Sequence, residues 1–235
     1  MIVGGQPFYG QRLGVVLLDA RYPRLPGDVG HADTYESPVQ FEVVPGLTAD
    51  RLIHHFDAEI LGLVQRTVQR LANHGATVAV GGCGFFARVH RELRDQGPIP
   101  FLSSSLLQVP WLRMLYGDPV GVLTIDEASL TDQYVHDAGW SRTDPVVVQG
   151  IDPASLFWHV YFENRDRFDP SVMEADVVRA AVRLAARAPT LRALVLECTN
   201  MAPFAAAVQA AVPVPIFDIQ GLAHFAAHAA DRHPY

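Results

Sequence analysis

A chain of 235 residues with 49% hydrophobic residues is long enough for one large α/β core or two small ones. Its 18 basic residues are all arginine, so a lysine Schiff base, and with it covalently held pyridoxal phosphate, is excluded. A net charge of −7 indicates a solvated acidic surface and argues against nucleic acid as a partner.

No segment has the pattern of a targeting or membrane-spanning sequence. Residues 1–16 lack a basic start followed by an apolar stretch and a small-residue cleavage site. The most apolar stretch, 203–217, contains Gln209 and three prolines, which suits a short helix and a buried strand better than a bilayer crossing. We therefore expect a cytoplasmic protein without a membrane partner, in which two cysteines are more often free thiols than a disulfide.

The first half of the chain predicts strands that alternate with helices. A strand over 13–18 is followed by a long loop and by a helix from about Thr48, whose apolar residues keep helical spacing until Gly75 ends it. A strand over 77–81 then leads to Cys83. The remaining elements of this half are a helix over 85–96, a strand over 99–102 and a helix after Ser103.

The second half repeats this order. Its predicted strands lie at 120–124, 146–149, 193–197 and 214–217. Asp169 and Pro170 are typical of the N-cap and first turn of a helix, which we expect to run from 171 to 186. Because strands and helices alternate, the sheets are predicted to be parallel.

Three pairs of segments match between the halves in the same order, which indicates an internal duplication. The pairs are 13–19 with 120–126, 71–86 with 186–201, and the surroundings of Phe101 with those of Phe217. A repeat this long implies duplicated domains and not a solenoid. We predict half-domains at 1–107 and 108–212, followed by a strand and helix at 213–235 that pack back on the first half.

Each cysteine follows a predicted strand and precedes a predicted helix, at matching places in the two halves. In parallel α/β sheets, ligands bind beyond the carboxyl ends of the strands. Backbone N–H groups and the helix dipole at such a position can bind a carboxylate and lower the pKa of a thiol from about 8.5. Cys83 and Cys198 are therefore candidate catalytic residues, although buried cysteines are often only structural.

Two thiols on opposing halves provide a base and an acid on the two faces of one carbon atom. Removing a proton from one face and returning one to the other inverts the centre. The charge that develops as an enediolate is stabilised by polar groups around the carboxylate. We therefore predict a racemase or epimerase that requires no cofactor.

The chain resembles the aspartate/glutamate racemase superfamily, which also contains hydantoin racemases, maleate isomerases and arylmalonate decarboxylases. The resemblance is carried by the loop LLDARYPRLPGDVGHADTYESPVQFEVVPG, the motifs GGCGFF and LECTNM, and the runs PFLSSSLLQVP and VGVLTIDEASL. It implies two pseudo-symmetric doubly wound α/β domains, a cleft between them, and Cys83 and Cys198 as an acid/base pair. The implied substrate is an amino acid or another small carboxylated or hydantoin-like compound.

The resemblance also implies roles for residues next to the cysteines. By position, the substrate carboxylate would be held by Gly84, Phe85, Thr199 and Asn200, and Thr124 would line the second domain's part of the site. The chain departs from glutamate racemases, which typically have an Asp-Ser pair at the end of the first strand and a histidine after the second cysteine. This chain has Leu17-Leu18 and Thr199-Asn200 at those places, which argues against a strict glutamate racemase.

Other activities of the superfamily stay open. The decarboxylases work with a single catalytic cysteine, so the presence of both cysteines counts against that branch. Maleate-type isomerisation, with one thiol as nucleophile on the alkene, is an alternative, and so is a relative that binds a small ligand without turnover.

Further polar residues have competing interpretations. Arg24, in a proline-rich loop, could bind a distal carboxylate of the substrate or pair with Asp28. Glu197 precedes Cys198, where a negative charge would raise the thiol pKa, or its side chain could point elsewhere.

The sequence predicts no metal site and gives little information on assembly. His224 and His228 lie one helical turn apart, but no third ligand follows at a recognisable spacing. Symmetric dimers are common among soluble enzymes, so we favour a homodimer.

Overall fold

The computed structural model describes residue 5 and residues 8–230. Residues 1–4, 6, 7 and 231–235 lie outside this range. Part of the segment considered for a secretory signal and the end of the predicted C-terminal segment therefore lie outside the described residues.

Two parallel sheets of four strands form the framework. The strands of the first sheet are β1 (Leu13–Leu17), β2 (Val39–Val43), β3 (Val78–Gly81) and β4 (Phe101–Leu102), in the spatial order β2-β1-β3-β4. Those of the second are β5 (Val120–Thr124), β6 (Val146–Gly150), β7 (Ala193–Leu196) and β8 (Ile216–Phe217), in the order β6-β5-β7-β8. Each half orders its strands in the same way, so the predicted α/β fold of two related parallel-sheet domains is confirmed.

Helices connect all successive strands except β1 and β2, which are joined by a loop with one short 3-10 helix, Ala32–Thr34. In the first half they are α1 (Ala49–His54), α2 (Ala58–Asn73), α3 (His90–Gln96) and α4 (Val109–Tyr116). The others are α5 (Asp132–Asp137), α6 (Leu156–Phe162), α7 (Pro170–Arg187), α8 (Ala205–Ala211) and α9 (Ile219–Ala230). None of the helices in the described part of the chain is both long and apolar enough to cross a membrane.

Two local predictions differ from the structure in the first half. The predicted long loop contains β2, an edge strand in which Phe41 and Val43 are exposed, so it lacks the continuous apolar run of a buried strand. The single helix predicted from Thr48 is divided into α1 and α2. It divides because the Asp57 side chain accepts a hydrogen bond from the Ile60 N–H at 2.9 Å and caps a new helix.

Other helix ends agree with the sequence. Gly75 adopts a φ of 92° directly after α2, a left-handed conformation that glycine tolerates. Asp169 caps α7 by accepting a hydrogen bond from the Ser171 N–H at 2.9 Å, and Pro170 occupies its first turn. The helix predicted over 85–96 begins as the 3-10 helix Gly84–Val89 before it continues as α3.

The C-terminal segment divides between the two halves. Strand β8 pairs with β7 and completes the second sheet, whereas Ile219 and Ala223 of α9 pack against one face of the first sheet, on Leu13, Val15, Val78 and Val80. The main hydrophobic core is continuous through both halves. This arrangement holds the carboxyl ends of β3 and β7 against each other.

Candidate active site

The two cysteines occupy equivalent positions in the two halves. Cys83 lies two residues after β3, before the 3-10 helix Gly84–Val89, and Cys198 lies two residues after β7, before the 3-10 helix Thr199–Phe204. Both are free thiols, Cys198 buried and Cys83 half-buried. The thiols therefore stand at the carboxyl ends of matching strands, where parallel α/β sheets bind ligands.

The turns that carry the cysteines contact each other across the two halves. The Thr199 hydroxyl donates a hydrogen bond to the Gly82 carbonyl oxygen at 3.0 Å. The Ser105 hydroxyl donates to the Leu196 carbonyl oxygen at 2.7 Å. Both bonds are buried: the first joins the two cysteine turns, and the second joins the first half to the end of β7 just before the turn of Cys198.

A buried carboxyl group lies between these turns. The Glu197 side chain packs against the Cα atom of Gly84, at the place where any larger residue would put its side chain. One carboxyl oxygen accepts a hydrogen bond from the Thr124 hydroxyl at 2.8 Å, and the other has no partner among the described residues. Burial raises the pKa of Glu197 to about 7, against the opposing effect of hydrogen bonds from Thr124 and the Ile125 N–H.

Burial also governs the two thiols, and it raises the pKa of each, against the lowering that the sequence predicts. Burial raises the pKa of Cys83 to about 12, and the nearby charge of Glu197 adds to the shift. The pKa of Cys198 lies well above its ordinary value for the same two reasons. Hydrogen bonds from the N–H groups of Phe85 and Asn200 to the sulfurs act in the predicted direction but are outweighed.

A chain of hydrogen bonds leads from Cys198 into the first half. The Cys198 thiol donates to Asn200 Oδ1 at 3.7 Å, and Asn200 Nδ2 donates to Asp28 Oδ2 at 2.6 Å. The other oxygen of Asp28 accepts from Arg24 Nη1 at 2.6 Å and from the Gly30 N–H at 2.8 Å. The carboxylate of Asp28 therefore holds the loop of Arg24 and the second cysteine turn in one network.

Aromatic rings surround the cysteine turns. Tyr22 and Tyr161 meet edge to face with ring centroids 4.7 Å apart, and Phe85 and Tyr134 do so at 5.1 Å. Charge on the cysteines also raises the pKa of Tyr22 and Tyr134, which burial already raises. A cavity of about 450 Å³ between the halves opens beside Tyr134, lined by Ile53, His54, Phe56, Arg88, Ala128, Ser129 and Thr131.

Gly84→Ala is expected to disturb this packing, because a Cβ atom at position 84 would overlap the carboxyl group and the carbonyl oxygen of Glu197. We expect a loss of about 1–3 kcal/mol in the free energy of unfolding, measured by urea denaturation. Gly62→Ala is the matched control, since a Cβ atom there would approach the side chain of Arg66 to 3.2 Å. Equal stability of the two variants would contradict the close packing of Glu197 on Gly84.

A family model described as Asp/Glu/Hydantoin racemase matches residues 46–227 of the chain. The chain belongs to the Asp/Glu/hydantoin racemase family. It is 31% identical over 215 residues to a dimethylsulfoniopropionate lyase of Durusdinium sp. clade D, across 88% of this chain and 70% of that protein. It is 30% identical over 217 residues to dimethylsulfoniopropionate lyase 3 of Emiliania huxleyi (strain CCMP1516), across 88% of this chain and 56% of that protein.

The fold of this racemase-family chain also occurs among solved structures. Allantoin racemase from Klebsiella pneumoniae superposes with a TM-score of 0.63 at 17% identity, covering 95% of this chain and 91% of that one. The likeness shows a shared fold. The family and its fold are therefore as the sequence resemblance implies, whereas the Durusdinium and Emiliania relatives are named as lyases and not as isomerases.

The structure gives most of the predicted substrate-binding side chains of this family member a partner within the protein. The hydroxyl groups of Thr124 and Thr199 and the amide of Asn200 form the hydrogen bonds described above. Arg24 pairs with Asp28, one of the two alternatives for this residue. Their roles toward a substrate stay predictions, as do those of Gly84 and Phe85.

Sequence reasoning did not assign four residues that the fold brings to the cysteines. Tyr22, Tyr134 and Tyr161 lie in loops or short helices whose sequence gives no sign of their position. The sequence offers Asp28 only as a partner of Arg24, because its bond to Asn200 joins residues that are far apart in the chain.

Proposed function

We propose that this chain is a cofactor-independent enzyme that removes the proton α to a carboxylate with the thiols of Cys83 and Cys198, and that it acts as a dimethylsulfoniopropionate lyase. The observation that carries the acid/base chemistry is the equivalent placement of the two thiols on turns that contact each other across the halves. Support for the lyase reaction comes from the 31% identity with the Durusdinium enzyme over 88% of the chain.

Elimination from this substrate follows from its structure, a propionate that carries a dimethylsulfonium group on the β-carbon. A cysteine thiolate accepts the α-proton, and the electron pair of the C–H bond forms the double bond. The C–S bond breaks with its electrons moving to sulfur, which leaves as neutral dimethyl sulfide, and the other product is acrylate. Because the leaving group departs as neutral dimethyl sulfide, the electrons freed at the α-carbon can form the double bond directly. No redox cofactor or electron sink is required.

The surroundings of the thiols suit a substrate that carries a positive sulfonium group and a negative carboxylate. Sulfonium methyl groups pack favourably on aromatic faces, which Tyr22, Tyr161 and Tyr134 can offer near the cysteines. Backbone N–H groups at the cysteine turns would hold the carboxylate.

Racemisation is a second candidate, and the presence of both thiols favours it. An elimination needs one base, whereas inversion of a carbon centre needs a base on one face and an acid on the other. The substrates in this case would be aspartate, glutamate or a hydantoin.

One assay separates the two reactions. The protein is incubated in D2O with dimethylsulfoniopropionate, aspartate, glutamate, a 5-substituted hydantoin or allantoin, and products are followed by NMR and headspace analysis. We expect release of dimethyl sulfide and acrylate from the first compound only. Deuterium at the α-carbon with loss of optical purity in another compound would instead identify a racemase, and inertness of all five would contradict both.

A further inference from the structure

We propose that Glu197 is a positioning residue that shares one negative charge with the cysteine thiols, so that a thiolate forms only as the Glu197 carboxylate takes up a proton. The inference deepens the acid/base role proposed for the cysteines and rests on it. It concerns a carboxyl group for which neither elimination nor racemisation has yet been given a use.

The location of the carboxyl group is the first support. Glu197 is 0% exposed, and its side chain lies against Gly84, the residue after Cys83, while its main chain continues directly into Cys198. The carboxyl group therefore lies against the turn of Cys83, on a residue that leads directly into the turn of Cys198. Its unpartnered oxygen is aimed at the turn of Cys83, whereas Thr124 holds the other oxygen.

The charges around Glu197 are the second support. Glu197 interacts electrostatically with four titratable groups, each of which is negative when ionised: Cys83, Cys198, Asp126 and Tyr134. Among the described residues no arginine or histidine forms an ion pair with Glu197, and Arg24, which acts on Cys83, is held by Asp28. A second buried negative charge in this place would have no counter-ion, so two ionisations oppose each other strongly.

The proton balance follows from this opposition. When the site carries one charge, the charge is either on Glu197 or on a thiol. Conversion of the first form into the second breaks an S–H bond and forms an O–H bond, and the net charge does not change. No oxidant or other co-reactant takes part.

This coupling produces a distinctive pH dependence. Below the pKa of Glu197, about 7, the site is neutral and must lose a proton to form a thiolate, so the thiolate fraction rises tenfold per pH unit. Above that pH the site already carries its charge on Glu197, and forming a thiolate only redistributes a proton. The thiolate fraction then becomes independent of pH until the second ionisation begins.

Alkylation of Cys83 by iodoacetamide tests the proposal without any substrate, because the rate follows the thiolate fraction. We expect the wild-type rate, read from the Cys83 peptide by mass spectrometry, to rise up to about pH 7 and to level off above it. In Glu197→Gln the rise should continue and should exceed the wild-type rate by about 100-fold at pH 9, two units beyond the break. Glu174→Gln, on the exposed side of α7, is the control and should follow the wild type.

A second variant serves if Glu197→Gln does not fold. Thr124→Val removes the hydroxyl that favours the carboxylate form, which raises the pKa of Glu197 and should move the break to higher pH. A wild-type rate that rises without a break from pH 6 to pH 9 would overturn the proposal. That result would leave the assay of the proposed lyase reaction untouched, since the assay measures products and the alkylation measures one thiol.

Discussion

At least one of the variants Cys83→Ser and Cys198→Ser is expected to reduce turnover of dimethylsulfoniopropionate by at least about 10³-fold, since elimination needs one base, and both should do so if the reaction inverts a carbon centre. A hydroxyl group of the same shape keeps the packing of the turns but ionises far less readily than a thiol. Turnover is measured as acrylate and dimethyl sulfide release, and circular dichroism confirms that each variant folds. The chain has only these two cysteines, so no other thiol can take over the reaction.

The double variant is the internal control for this prediction. Residues that act as one unit are not additive, so the double variant should lose about as much activity as the worse single variant. If the fold-loss of the double variant instead equals the product of the two single fold-losses, the cysteines act independently. Turnover that persists in the double variant would exclude thiol chemistry altogether.

The parts of the fold that the sequence predicted are those decided by local pattern. Strand β5 was placed at its observed ends and β1 and β7 within one residue, because each is a short, fully buried apolar run that stops at a polar or cysteine-bearing turn. The edge strand β2 is missed because it is paired on one side only and its single buried residue is the polar Gln40, while Phe41 and Val43 are exposed. The two cysteine positions followed from the duplication, which survives in sequence.

The features that could not be predicted depend on contacts between the halves. A helix N-terminus beside a cysteine is visible in sequence and favours a low thiol pKa, yet the burial that reverses the shift arises only when the two turns pack together. The same holds for Glu197, whose side chain reaches Gly84 in the other half. The local sequence identifies the groups at the site, whereas their pKa values are set by burial at the interface between the halves.

Asp28→Ala should cause the largest loss of stability among the single substitutions near the site. The Asp28 side chain is 2% exposed and accepts hydrogen bonds from Arg24, Gly30 and Asn200. Its removal leaves a guanidinium that is only 14% exposed without a counter-ion, which costs roughly 3–5 kcal/mol in the free energy of unfolding. We expect the melting temperature to fall by roughly 6–20 °C.

Two variants show whether the loss comes from the buried charge. Asp95→Ala removes an acidic residue from an exposed pair with Arg94, and it should leave the melting temperature unchanged because solvent screens that pair. Arg24→Leu/Asp28→Ala removes both buried charges, so it should be more stable than Asp28→Ala alone if the unpaired guanidinium is the cause. If the double variant is the less stable of the two, the loss must instead come from the acceptors that Gly30 and Asn200 have lost. In that case Asp28 acts mainly by holding Asn200 and the second cysteine turn. Turnover by Asp28→Ala should then fall because Asn200 is no longer held in place.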